Sequence, residues 1–194
     1  MQYPIELNFK LLTFGQRVTV KDANGHVLMF IKQKMFKLKE NVEIFSDESQ
    51  SRLLFRIAAD RMIDFSANYH FFDAEGNDWG AVRRQGMKSL WSAHYDVMQD
   101  GAVDMTISEE SPIKKVLEGL LGEIPIVGFI ASYLINPSYL LTRPDETPVL
   151  RLSKQPAFFE SRFVLEKLTE IPEDDELRSL MAIIMLVLLE RSRG

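Results

Sequence analysis

The chain has no cysteine, and its 194 residues include only three histidines and two tryptophans. Without cysteine, disulfides and thiolate zinc centres are excluded. His26, His70 and His94 show no i, i+4 pairing of the kind that places two imidazoles on one metal. Gly-x-Ser-x-Gly, the Walker A loop and the dinucleotide fingerprint are all missing. Asp64, Asp96 and Asp104 are spread over separate segments, and nothing in the sequence joins them as an acid and its base. The sequence therefore predicts no catalytic residue, no metal, no cofactor and no enzyme.

A basic excess is lacking too: 23 Lys and Arg face 28 Asp and Glu, for a formal charge of −5. Nucleic-acid partners usually demand the opposite sign, so none is expected. No stretch reaches the ~20 apolar residues that span a bilayer as a helix. The first eight residues lack a basic segment followed by an apolar run, so they do not read as a signal peptide. The expected setting is cytoplasmic, peripheral to a membrane at most.

What is present is a greasy terminal segment. Residues 180–189 read Leu-Met-Ala-Ile-Ile-Met-Leu-Val-Leu-Leu and are followed by Glu190 and Arg191. At 100° per residue these side chains cover every side of a helix, so that helix must be surrounded. As a helix, residues 177–189 are only about 20 Å long, against about 30 Å of bilayer hydrocarbon. Protein is therefore the predicted solvent. The acidic run 173–176 suits the helix N-terminus. Cation binding by that run is not predicted, since the oxygen spacing of a calcium loop is missing.

Before that helix the chain alternates between short apolar strands and turn signals. Strands are predicted at 17–21, 26–31, 41–45, 52–57, 61–65, 68–72, 77–82, 91–97, 102–107, 148–152 and 157–167. Trp91, Ala93, Tyr95 and Val97 alternate with Ser92, His94 and Asp96. Asp22-Ala-Asn-Gly25 and Asp73-Ala-Glu-Gly76 are the same turn written twice, each ahead of an apolar strand. Turns about every ten residues indicate a β-sandwich or barrel. Residues 112–136 break the rhythm: Pro112 opens a predicted helix over 113–121, stopped by Gly122, and residues 124–135 are apolar throughout.

Four pieces together carry a family resemblance. They are Val18-Thr-Val-Lys-Asp-Ala-Asn-Gly25, Phe71-Phe-Asp-Ala-Glu-Gly76, Leu150-Arg-Leu-Ser-Lys-Gln155, and the apolar segment 180–189 with Arg191 and Arg193. In that order they resemble the LURP-one-related and phospholipid scramblase group, related to the Tubby C-terminal domain. The resemblance covers about residues 8–193. It implies a mainly β fold: a closed antiparallel barrel of about twelve strands with a buried hydrophobic C-terminal helix. One domain, 1–194, is expected, with a helical insertion at 112–136 and a central helix at 173–192. The scramblases' calcium-associated loop has no counterpart between residues 165 and 176, and their palmitoylated Cys-rich stretch is missing.

Lys32, Lys34, Lys37 and Lys39 follow the first repeated turn and its strand, and Arg83, Arg84 and Lys88 occupy the matching place after the second. If those hairpins are neighbours, the seven cations form one patch for an anionic phospholipid. The predicted function is a non-enzymatic binding module of this family type, acting at an anionic membrane surface or as a scaffold for a protein partner. The alternative is a scramblase-like, lipid-handling protein with the terminal helix or residues 124–135 in the bilayer.

Overall fold

The structure, a computed structural model, describes residues 1–12, 15–34, 41–60, 67–85, 94–110, 137–156 and 161–191. Twelve strands alternate in direction along the chain. They are β1 (Ile5–Leu12), β2 (Gly15–Lys21), β3 (Val27–Lys34), β4 (Asn41–Phe45), β5 (Leu53–Ala59), β6 (Asn68–Asp73), β7 (Asp78–Arg84), β8 (His94–Gln99), β9 (Ala102–Glu109), β10 (Ser138–Thr142), β11 (Pro148–Gln155) and β12 (Ser161–Lys167). One helix, α1 (Glu173–Arg191), follows them. The predicted strand at 61–65 and the insertion at 112–136 lie outside the described residues.

Every strand pairs with its neighbours in sequence, and β1 pairs with β12 to close a barrel. The closure registers Ile5 against Leu165 and Phe9 against Ser161. Phe9 and Phe163 meet there edge to face at 5.5 Å. Alternation assigns the faces, because successive strand residues point to opposite sides. Val18 and Val20, Tyr95 and Val97, and Leu150 and Leu152 are all at most 1% exposed and point inward. Closure leaves no free edge to aggregate.

An eight-stranded barrel is filled by its own side chains, and diameter grows with strand number. Twelve strands leave room for a helix, which is about 10 Å across. Helix α1 occupies that space: residues 180–188 are all 0–2% exposed. Its apolar circumference therefore finds apolar wall on every side. No described helix is long and apolar enough to cross a membrane.

Polar contacts fix the helix along its length. Glu176, near its start, takes the Lys167 ammonium, which also reaches Glu170 at 2.8 Å. These two carboxylates hold the Lys167 pKa above its ordinary value. Tyr3 lies under that ammonium, and burial, followed by the Glu176 charge, raises its phenol pKa. At the far end the Tyr95 hydroxyl donates to Glu190 at 2.6 Å.

The repeated turn is real and occurs a third time. In residues 22–26, 73–77 and 143–147 the first N–H donates to the fifth carbonyl and the fourth N–H to the first carbonyl. The fourth residue is left-handed in each: Gly25, Gly76 and Glu146 at φ +82°, +90° and +67°. Asp73 also caps its loop, accepting from the N–H groups of Glu75 and Asn77 at 3.0 and 2.8 Å. The Asn77 side-chain amide leads in holding its pKa down. In the β4–β5 turn the hydroxyls of Ser46, Ser49 and Ser51 do the same for Asp47.

Two outcomes test this architecture. Deleting residues 173–194 removes the core and should abolish the cooperative thermal transition, while Leu186→Ala should cost about 2–5 kcal/mol in urea denaturation. Asp47 and Asp73 have folded pKa values below their unfolded ones, so their contribution is full above about pH 4 and is lost as pH falls. The double variant Asp47→Ala, Asp73→Ala should have a lower Tm at neutral pH and a shallower fall in Tm between about pH 4 and pH 2 than the wild type.

Candidate functional site

The predicted basic cluster is divided by the topology. Strands β3 and β7 are separated by β4, β5 and β6, so the two repeated hairpins are not neighbours. Lys32 is exposed on the outer face of β3, and Lys34 is the last residue of that strand. Arg83 faces outward but holds Asp96, which is 4% exposed, at 2.9 Å. Arg84 points the other way: it is 8% exposed and registers with Tyr95, whose hydroxyl meets α1. Lys37, Lys39 and Lys88 lie outside the described residues.

Register gathers a different set. Arg17 is the direct partner of Lys10 on β1 and of Lys32 on β3. All three are outward, because Phe9, Val18 and Ile31 beside them are buried inside. Three cations thus lie side by side across β1, β2 and β3. Directly opposed like charges destabilise a sheet by a few tenths of a kcal/mol or more. Arg17 offsets part of this through Glu48 at 2.5 Å and by lying over the Phe30 ring at 5.5 Å. Lys10 and Arg17 were not legible as members, since only the pairing places them next to Lys32.

Acidic side chains gather in the turns that join even strands to the odd strands after them, at Asp22, Asp47, Glu48, Asp73, Glu75 and Asp145. Lys10, Arg17 and Lys32 stand in the strand halves away from the 22–26 turn.

A second feature opens in the wall between β7 and β8. Their pairing begins at Ala81 and Met98, so Asp78 and Trp79 lie outside the ladder while Gly80 packs closely on the Met98 carbonyl. The flanking pairings both carry irregularities, between His70 and Phe72 and between Val97 and Met98. Bulges of this kind bend strands and re-aim side chains. The result is a cleft of about 580 Å³ bordered by β6, β7, the 100–101 turn and the start of α1.

The floor of the cleft is Arg178 of α1, which is 3% exposed. Its Nε donates to the Trp79 carbonyl at 2.9 Å, and its Nη1 reaches Asp175 at 2.9 Å and Asp104 at 3.3 Å. Gly80 makes this possible. A Cβ there would stand 2.3 Å from the Met98 carbonyl oxygen and 3.0 Å from Arg178 Cδ, at a backbone φ of +111°. At the mouth His70 Nδ1 lies 3.5 Å from Asp78. Sequence inspection passed over Arg178, because an arginine in the first turns of a helix carries no signal of where it ends up.

Gly80→Ala should therefore destabilise the fold by about 1–3 kcal/mol through backbone strain alone, with the clash added. Denaturant midpoints and the near-ultraviolet spectrum of Trp79 report it.

The model of the LURP-one-related family matches residues 27–118, from the start of β3 to beyond β9. That stretch includes Phe71–Gly76, one of the four pieces that carried the LURP-one-related resemblance. An X-ray structure of an Arabidopsis thaliana protein aligns over 93% of this chain and 89% of its own, at 15% identity and a TM-score of 0.44. No curated protein matches the chain.

Proposed function

Taking the LURP-one-related match as premise, we propose that this protein is a non-enzymatic binding module that docks on an anionic membrane surface. The outer face of β1, β2 and β3 makes the contact. The observation that carries this is the cross-strand row Lys10, Arg17 and Lys32. Outward cations gathered on one face are what a phosphate-bearing surface attracts. A ligand held inside the barrel is disfavoured, because α1 already fills the interior.

A scramblase-like role with the terminal helix in lipid needs an apolar helix surface to offer. Helix α1 has none, since its nine residues 180–188 are spent on the barrel's own core. Residues 124–135, the other segment considered for that role, lie outside the described residues.

Cosedimentation tests the docking face. The wild type should pellet with vesicles of phosphatidylcholine and phosphatidylserine, and not with phosphatidylcholine alone. Binding should weaken as salt rises, because the cations are at the surface. The triple variant Lys10→Gln, Arg17→Gln, Lys32→Gln should lose about 1 kcal/mol per charge, on the order of 100-fold in partition overall, with its Tm unchanged or raised. Equal pelleting of wild type and triple variant would remove the proposal.

A further inference from the structure

We propose that the cleft between β7 and β8 is a second binding site, for a short basic peptide segment of a protein partner. Three observations lead there, and the first is the cavity itself. At about 580 Å³ it falls within the range of ligand pockets. It lies where the β7–β8 ladder ends, beside Gly80, a position closed to any larger side chain.

The second is an unfinished hydrogen-bonding group in the floor. Arg178 uses Nε and Nη1 on Trp79, Asp175 and Asp104. Its Nη2 makes no hydrogen bond among the described residues, and it is not among the fully buried unpartnered atoms either. A guanidinium carries five N–H donors, and Arg178, which lines the cleft, still has its Nη2 pair to offer. These donors require an acceptor oxygen. Arg178 is already flanked by two carboxylates, so a third anion gains little there, whereas a neutral peptide carbonyl fits.

The third is the charge of the mouth. Asp100 in the β8–β9 turn and Asp174 in the first turn of α1 are both exposed and border the cleft. Neither makes a hydrogen bond or ion pair among the described residues. Asp78 adds a third carboxylate beside His70. The one other cation of the lining, Arg83, is engaged by Asp96. A ligand that meets both demands bears a carbonyl for Arg178 and a Lys or Arg side chain for Asp100 and Asp174. A basic peptide carries the two within a few ångströms of each other.

The test is a titration of the full chain, followed by ¹⁵N-resolved NMR, with an acetylated and amidated Gly-Lys-Arg-Gly peptide. Saturable shifts are expected at the Gly80 and Gly101 amides and the Trp79 indole N–H. Asp100→Asn with Asp174→Asn, both on the surface, should weaken binding about tenfold while leaving the rest of the spectrum in place. The Gly-Glu-Glu-Gly counterpart should not bind. Spermidine, which offers cations without a carbonyl, should bind more weakly than the basic peptide. Three results would each overturn the assignment: no saturable shift at those three groups, no effect of the double variant, or spermidine binding as tightly as the peptide. The Lys10, Arg17, Lys32 triple variant should keep its peptide affinity, so failure of the membrane reading and failure of this one are separable.

Discussion

Mutual solvation of helix and wall is the constraint on which the rest of this structure depends. An apolar helix with no polar face is insoluble by itself, and a twelve-stranded barrel without a filling encloses a void. Each burial answers the other, at about 25 cal/mol for every Å² of apolar surface removed from water. That is why residues 180–188 and the inward side chains of all twelve strands form one continuous core. It also means that α1 occupies the barrel interior, with residues 180–188 at most 2% exposed.

The wall is where the two candidate surfaces differ in kind. The cationic row of Lys10, Arg17 and Lys32 is a consequence of register, and a slip of one residue would turn it inward. The cleft is a consequence of a break in register. Gly80, at φ +111°, lets β7 pass close to the Met98 carbonyl and the Arg178 side chain where the ladder ends, and Arg178 ties the central helix to β7 there. A group bound in that cleft would touch the element that holds the core together.

Much of the fold was legible along the chain. Strands β2, β4, β6 and β11 begin within two residues of their expected positions, because alternation of apolar and polar residues is a strong signal where one face is buried. Strand β1 was passed over although Ile5, Leu7 and Phe9 alternate cleanly, and β10 was passed over between two Pro-containing turns. The turn at 22–26 announced itself by Gly25 and was matched at 73–77. Its third copy at 143–147 hid behind Glu146, a residue that adopts a positive φ only because the hairpin around it demands one.

The sequence by itself determined that this chain is mainly β, that its last helix must be enclosed, and that disulfides and thiolate metal sites are excluded. Those conclusions follow from composition and from periods of 2 and 3.6 residues, which are local properties. Tertiary structure alone decided which cations stand together. Lys32 meets Lys10 and Arg17, and Arg83 and Arg84 on β7 face opposite sides of the wall. It alone decided, too, that the buried Arg178 meets the wall at Trp79 and Gly80. The reason is physical: which strands neighbour each other, and in what register, depends on closing the sheet around the helix, and no local stretch of chain records that closure.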